Sequence, residues 1–132
     1  MNGIKLLHID DEDGFAASLG RRLSRRGIQV TFAATGRDGL QMLSEDSDFD
    51  VVLLDIMMPG MDGIKTLGHI KRKHPLVEVI MLTAHANTDV VLSSLGMGAY
   101  DFLTKPAEID QIIRKIEDAV ARRKRNLEPP TV

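Results

Sequence analysis

Short hydrophobic runs alternate with stretches of helical periodicity along the whole chain. Runs rich in β-branched residues predict strands, whereas apolar residues that recur every three or four positions predict amphipathic helices. The predicted strands span residues 4–9, 28–33, 51–54 and 77–82, with a short fifth strand around residues 102–103. The helical stripes are Phe15, Leu19 and Leu23, and later Ile109, Ile112, Ile113, Ile116 and Val120.

Five strand–helix units of this length predict a particular architecture. Right-handed crossovers would build a parallel sheet with helices on both faces, which is a doubly wound α/β domain. In the second strand Ile28, Val30 and Phe32 alternate with polar residues, so we expect this strand at an edge of the sheet. A chain of 132 residues that is 43% hydrophobic suits one domain with a substantial core.

The amino-acid composition argues against several classes of function. A net charge of −2 offers no general attraction to nucleic acid or to anionic membranes. Zero cysteines exclude disulfides and thiolate metal sites. Without an apolar amino-terminal segment, we expect a cytoplasmic protein that is not inserted in a membrane. The basic run "RRKR" at residues 122–125 is expected to complement a helix dipole rather than to bind nucleic acid.

Polar residues follow the predicted strands at their carboxyl ends, where doubly wound sheets bind their ligands. Each has a local explanation: an aspartate caps a helix, a threonine satisfies a turn, and a lysine is solvated at the surface. Their joint placement at one edge favours a functional site. These residues are Asp10 and Asp11 after the first strand, Asp55 after the third, Thr83 and Ala84 after the fourth, and Lys105 after the fifth.

Charge balance predicts what this edge binds. The carboxylates of Asp10, Asp11 and Asp55 exceed the single ammonium of Lys105 by two negative charges, which a divalent cation would neutralise. Oxygen ligands favour Mg²⁺, with Mn²⁺ as the alternative, and Mg²⁺ commonly joins carboxylates to a phosphate. We therefore predict a phosphoryl substrate, with Asp55 as the nucleophile and with Lys105, Thr83 and a backbone N–H neutralising oxygen charge.

Four motifs then identify a resemblance. "LLHIDDED", "DIMMPGMDG", "MLTAHA" and "GAYDFLTKP" occur in this order, and the chain from residue 3 to about 123 resembles the receiver domain of two-component response regulators. The resemblance implies a flavodoxin-like fold with five parallel strands in the order 2-1-3-4-5. It also implies that residues 1–123 form the receiver and that residues 124–132 form a tail or the start of a linker.

By this resemblance, Asp55 is the phosphoacceptor and also contacts the metal. Asp11 is a direct Mg²⁺ ligand, Asp10 acts through water, and the backbone carbonyl of Met57 supplies a further ligand. Met57 and His85, each two residues beyond a site residue, resemble the positions that flank the approach of hydrolytic water. Met57 is therefore expected to shield the phosphoryl group.

The same resemblance implies a conformational switch. Thr83 is the hydroxyl that follows the phosphoryl group, the N–H of Ala84 binds it, and Lys105 pairs with it. Phe102 stands at the aromatic switch position, where the family often has tyrosine, so a hydroxyl is lacking here. The peptide bond between Lys105 and Pro106 matches one that is frequently cis in the family.

The implied function is to accept a phosphoryl group from a histidine kinase or a phosphotransfer protein. The face between the fourth and fifth helices would then bind a downstream effector or a fused output domain, or support a phosphorylation-dependent dimer. This activity makes the chain a signalling module rather than a conventional enzyme. We expect no membrane partner and no direct contact of this domain with nucleic acid.

Other functions fit the sequence less well. A calcium loop fails because Ile9 occupies its first ligand position and Gly20 its final glutamate position. A phosphatase with an aspartate nucleophile normally has a second aspartate where Met57 stands, and a flavin site conflicts with the acidic "DDED". A phosphatase-like hydrolase and a receiver-like binding module without phosphorylation remain as alternatives. Three of the histidines, His8, His69 and His74, are expected to be structural.

Overall fold

The computed structural model describes residues 3–56, 62–84 and 88–128. In this part of the chain five strands alternate with five helices, as predicted, and no helix combines the length and the apolar content needed to cross a bilayer. The elements are β1 (Ile4–Ile9), α1 (Asp13–Ser24), β2 (Ile28–Ala33), α2 (Gly36–Glu45), β3 (Val51–Asp55), α3 (Gly63–Lys73), β4 (Glu78–Thr83), α4 (Thr88–Gly96), β5 (Asp101–Thr104) and α5 (Ile109–Leu127).

All five strands are parallel and lie in the order β2-β1-β3-β4-β5, so the predicted doubly wound sheet is confirmed. Strands β1 and β2 have the predicted bounds, whereas β3 and β4 end one residue later, at Asp55 and Thr83. Apolar runs mark buried positions, but ladder hydrogen bonds come from the backbone of any residue. The two polar site residues therefore belong to the strands themselves.

The sheet separates two hydrophobic cores. One core lies between the sheet and helices α2 and α3, and the other lies between the sheet and helices α1 and α5. Along β3, Val52 and Leu54 belong to the first core, whereas Val51 and Leu53 belong to the second. Because both faces of this strand are covered, its sequence is an uninterrupted apolar run.

Strand β2 lies at an edge of the sheet, as expected, but its apolar side is not fully covered. Phe32 is 37% exposed. Opposite it, α1 presents the small residues Ala16, Ala17 and Gly20, which leave a groove of about 650 Å³ lined also by Val30. Small side chains on α1 thus explain why an apolar strand residue remains accessible.

Helix α3 begins directly behind Asp55. Asp62 caps the helix by accepting a hydrogen bond from the Lys65 N–H at 2.8 Å, and the Gly63 N–H donates to the Ile56 carbonyl at 3.0 Å. A Cβ atom at position 63 would lie 2.3 Å from the carbonyl oxygen of Asp55. The absence of a side chain therefore lets the helix approach the strand end that carries Asp55.

Two arginines of the basic run anchor α5 to the amino-terminal side of the sheet, a role that the sequence did not predict. Arg122 Nη2 donates to Glu78 Oε1 at 2.8 Å, and Arg123 Nη1 lies 3.3 Å from Asp50 Oδ1. Glu78 is 1% exposed and also has Lys71 Nζ at 3.7 Å. The two remaining cations of the run lie in the last turn of α5, where they complement the helix dipole as expected.

Candidate functional site

Neighbouring strands bring the predicted polar residues to one edge of the sheet. Asp10 follows β1, Asp55 ends β3, Thr83 ends β4, and Lys105 follows β5. Asp10 and Thr83 are fully buried and Asp55 is 4% exposed. Buried carboxylates and hydroxyls need polar or charged partners, so this edge is a built site rather than a set of solvated loop residues.

Three carboxylates of this site form a cluster. One oxygen atom each from Asp10, Asp11 and Asp55 lies within 4.8 Å of the others. Asp11 is exposed whereas the other two are buried, so the cluster is open to water on one side. An oxygen-only set that is open to water fits Mg²⁺, which usually keeps several of its own waters. Met57, whose carbonyl was the further predicted ligand, lies outside the described residues.

The ammonium of Lys105 lies among these carboxylates. Its Nζ donates to Asp10 Oδ2 at 2.9 Å and to Glu12 Oε1 at 3.2 Å, and it lies 3.7 Å from Asp55 Oδ2. The same atom is 4.5 Å from the centroid of the Phe15 ring. The sequence predicted neither Glu12 nor Phe15 as a neighbour of Lys105. The carboxylate of Glu12 is visible in "DDED", but the direction of its side chain depends on the turn before α1.

Burial and polar contacts oppose each other in setting the pKa values here. Burial raises the pKa of Asp10, but His8, the Glu12 N–H and Lys105 together lower it to about 2. Burial lowers the pKa of Lys105, whereas Asp10, Asp55 and Glu12 raise it, and the net result lies above the ordinary lysine value. The Asp10 carboxylate and the Lys105 ammonium are therefore both charged at neutral pH.

His8 was expected to be merely structural, yet the structure places it beside the site. Its Nε2 lies 3.3 Å from Asp10 Oδ2, and the residue is 1% exposed. The ring packs edge-on against Phe15 and Phe32, with centroid distances of 5.9 and 6.3 Å. Nε2 is close enough to Asp10 to lower the pKa of that carboxyl, but neither ring nitrogen is aligned for a hydrogen bond to another described residue. The sequence signal was its position two residues before Asp10, since alternate positions along a strand share one face.

The loop that carries Lys105 is tied to the end of β4. The Lys105 N–H donates to the Thr83 carbonyl at 2.7 Å, and the peptide bond between Lys105 and Pro106 is cis. Ala84 follows Thr83 directly and is exposed, whereas His85 lies outside the described residues. The structure thus places Thr83 and Lys105 side by side, as the strand-end argument predicted.

Phe102 of β5 packs against a core that α4 also contacts. It is half-buried and packs against the core on the α2 and α3 side of the sheet, as does Val90 of α4. In the sheet it pairs with Met81 of β4. A change in its packing would therefore affect β4 directly, and α4 through the shared core.

Comparison with known families gives one match that covers most of the chain. The family model described as "Response regulator receiver domain" matches residues 6–117. The DNA-binding transcriptional regulator NtrC of Escherichia coli (strain K12) is 36% identical over 124 residues, which is 94% of this chain and 26% of that protein. The transcriptional regulatory protein TcrA of Mycobacterium tuberculosis (strain ATCC 25618 / H37Rv) is 33% identical over 132 residues, which is 100% of this chain and 51% of TcrA.

Solved structures show the same likeness. A response regulator receiver domain protein from Clostridium thermocellum superposes with a TM-score of 0.90 at 31% identity, covering 95% of this chain and 100% of that one. NtrX from Brucella abortus, crystallised with ADP, gives a TM-score of 0.86 at 30% identity and covers 96% of this chain but 28% of that one. The chain therefore spans only about a quarter of NtrC and of NtrX, and about half of TcrA.

Proposed function

The chain belongs to the response regulator receiver domains, and from this premise we propose that Asp55 accepts a phosphoryl group from a histidine kinase or a phosphotransfer protein. Membership confirms the resemblance inferred from the motifs, and with it the function of a phosphorylation-dependent signalling module. The proposal assigns the residues that carry this function. Its product is a conformational signal rather than catalytic turnover.

The observation that carries the proposal is the position of the Asp55 carboxylate. It ends β3 within the carboxylate cluster, and its Oδ2 lies 3.7 Å from the ammonium of Lys105. A nucleophilic carboxylate with a cation on one side and metal-binding oxygens on the other has what phosphoryl transfer needs, namely positioning and neutralisation of oxygen charge. The approach of α3 at Gly63 fixes the backbone of Asp55 in this position.

In the proposed transfer, one Asp55 oxygen forms a bond to phosphorus while the phosphorus–nitrogen bond of the donor's phosphohistidine breaks. The histidine nitrogen keeps the bonding electron pair. Mg²⁺, or Mn²⁺ in its place, supplies neutralisation of the phosphoryl oxygens when bound. Asp11 and Asp55 would hold it directly and Asp10 through water. Lys105 then pairs with a phosphoryl oxygen, and the Ala84 N–H donates to another.

The conformational signal would pass through Thr83 and Phe102. The Thr83 hydroxyl follows the phosphoryl group, and Phe102 changes its packing on the α4–α5 face, which we define as α4, β5 and the side of α5 next to them. Leu92 and Leu95 of α4 are 61% and 38% exposed, which suits a partner-binding surface. We propose that a downstream effector, a fused output domain or a second copy of the domain binds there.

Some assignments rest on the resemblance alone. We propose that residues 1–123 form the receiver unit and that residues 124–132 are a tail or the start of a linker. Met57 and His85 are proposed to flank the path of the hydrolytic water, and both lie outside the described residues. Since the chain spans about a quarter of NtrC, the nature of any output domain is equally a proposal.

The test is intact-mass measurement after incubation with acetyl phosphate and Mg²⁺. We expect one added phosphoryl group in the parent protein and none in Asp55→Asn, because the amide is not a nucleophile. Borohydride reduction of the labelled parent, followed by peptide sequencing, should give homoserine at position 55. Equal labelling of both proteins would refute the assignment. Absence of label would favour a binding module, and rapid multiple turnover of acetyl phosphate would favour the phosphatase-like alternative.

A further inference from the structure

His8 is a buried ionisable side chain beside the site, and the proposed phosphoryl chemistry leaves it without a role. It lies between Phe15 and Phe32, it is 1% exposed, and its ring nitrogens make no aligned hydrogen bond within the described residues. A buried N–H without a partner costs free energy, so such groups are rare unless a partner arrives in another state of the protein. The nearby acceptor is Asp10 Oδ2, at 3.3 Å from Nε2.

Asp10 shows how that partner would become available. Its Oδ1 accepts the Glu12 N–H at 3.0 Å, and its Oδ2 accepts the Lys105 ammonium at 2.9 Å. Lys105 therefore holds the oxygen that His8 approaches. In the proposed function Lys105 pairs with the phosphoryl group, so Oδ2 of a fully buried carboxylate would lose its cation. Such a loss is costly unless another donor replaces it.

We propose that His8 is a positioning residue whose Nε2–H donates to Asp10 Oδ2 when Lys105 turns toward the phosphoryl group on Asp55. This inference rests on the proposed function, and it adds a residue that holds a metal-site carboxylate in place. His8 and Lys105 lie against the same Phe15 ring, so both donors reach one oxygen from adjacent positions. The imidazole would thereby keep the Asp10 carboxylate in place after the Lys105 ammonium has moved away from it.

The first readout is the position of the imidazole hydrogen in the metal-free protein. Two-bond ¹H–¹⁵N spectra of ¹⁵N-histidine protein should show a hydrogen on Nε2 of His8. After acetyl phosphate and Mg²⁺ are added, this hydrogen should move to the chemical shift of a formed hydrogen bond. A hydrogen on Nδ1 alone, or an unchanged Nε2–H signal in phosphorylated protein, would overturn the proposal.

The second readout is Mg²⁺ affinity, measured by calorimetry in the presence of excess beryllium fluoride, which imitates a phosphoryl group on the aspartate, in a matched set of variants. His8→Leu fills the space without a donor and should weaken Mg²⁺ binding roughly tenfold, the lower end for loss of a partner that orients a metal ligand. His8→Gln keeps an amide donor near the position of Nε2 and should restore most of the affinity. Phe32→Leu alters the packing around the His8 ring but removes no donor, so the Mg²⁺ affinity should stay near the parent value.

The outcomes separate the two claims. Parent-like affinity in His8→Leu, or equal loss in His8→Leu and Phe32→Leu, would overturn the positioning role while leaving Asp55 as the phosphoacceptor. Failure of the parent protein to bind Mg²⁺ would refute the proposed function, and the role of His8 with it. Should His8→Leu not fold, the hydrogen position in the parent still decides the proposal.

Discussion

A single ammonium, that of Lys105, faces the carboxylates of Asp10, Glu12 and Asp55 at 2.9, 3.2 and 3.7 Å. At the residue scale this arrangement predicts that the site responds to a new charge. Each partner weakens the hold of the others on the ammonium, and a phosphoryl group on Asp55 adds further negative charge at short range. From these charges we predict that Lys105 moves toward that group.

Thr83→Ala tests the other residue that is proposed to follow the phosphoryl group. Phosphorylation should persist, because Asp55 and its neighbours are intact, but most of the resulting change in α4 should be lost. The measurement is hydrogen–deuterium exchange of residues 88–96 with and without acetyl phosphate and Mg²⁺. Thr104→Ala is the matched control, since Thr104 pairs with Thr83 in the sheet and is exposed. A full parent-like response in Thr83→Ala would remove its hydroxyl from the switch.

The sequence predicted the strand-end residues of this site but not the side chains that surround them. Asp10, Asp55, Thr83 and Lys105 could be placed together because strand ends in a parallel sheet share one edge. The positions of His8 and Phe15 around Lys105 and Asp10 could not, because they depend on rotamers and on how α1 packs across the strand end. Strand position puts His8 on the same side as Asp10, but it does not give a distance.

At the scale of elements, Gly63 joins α3 to the strand that carries Asp55. Gly63→Ala should destabilise the protein by about 1–3 kcal/mol, because a Cβ would lie 2.3 Å from the Asp55 carbonyl and 2.6 Å from the Ile56 Cα, and backbone atoms cannot move aside cheaply. The rate of phosphorylation by acetyl phosphate should fall as well. Urea denaturation and the rate of mass labelling are the measurements.

Gly20→Ala is the control for that variant. Among the described residues, its new Cβ would meet Val30 Cγ1 at an ordinary 3.9 Å. We therefore expect the free energy of unfolding to rise by up to about 1 kcal/mol, because alanine is the better helix former. Its labelling rate should match that of the parent. If Gly63→Ala behaved as Gly20→Ala does, the close approach of α3 would not position Asp55.

The ion pair between Arg122 and Glu78 is the second element-scale feature. Arg122→Met leaves a carboxylate that is 1% exposed, with Lys71 Nζ at 3.7 Å as its remaining cation among the described residues. Because the Arg122 side chain is itself 38% exposed, we expect the free energy of unfolding to fall by about 1–3 kcal/mol, as for a lost hydrogen bond to a charged group. Arg125→Met makes the same change at an exposed position of α5. Its free energy of unfolding should lie within about 0.5 kcal/mol of the parent value.

The double variant Glu78→Met, Arg122→Met completes that comparison. Removing both charges should recover most of the stability, because the penalty comes from the unpaired carboxylate rather than from the missing attraction. Urea denaturation measures the free energy of unfolding of the parent and of each variant. Equal stabilities of Arg122→Met and Arg125→Met would show that the pair does not anchor α5.

Element positions were largely predictable, since apolar runs and helical stripes reflect burial directly. The anchoring of α5 was not, because Arg122 and Glu78 are 44 residues apart and meet only when the helix packs on the sheet. Likewise, the glycine in "MDG" was visible as part of a turn motif, but its contact with the Asp55 backbone depends on where α3 begins.

At the scale of the whole molecule, the site and the α4–α5 face share two neighbouring strands. Thr83 ends β4 and accepts the Lys105 N–H at 2.7 Å, while Phe102 of β5 packs against the same core as Val90 of α4. A shift at the edge of the sheet therefore has a short packed route to the exposed side chains of α4. The alternation of elements predicted a parallel sheet with two covered faces, but the strand order came from the resemblance, because several orders satisfy the same alternation.

The central claim is that a phosphoryl group on Asp55 changes a surface away from the site. Its most direct test is a pair of ¹H–¹⁵N spectra, recorded with and without acetyl phosphate in Mg²⁺, for the parent and for Asp55→Asn. In the parent, we expect amide shifts at the strand ends around Asp10, Thr83 and Lys105, and also across α4 and β5, while Asp55→Asn shows neither set. Shifts confined to the strand ends in a fully phosphorylated parent, or the same α4 shifts in Asp55→Asn, would contradict it.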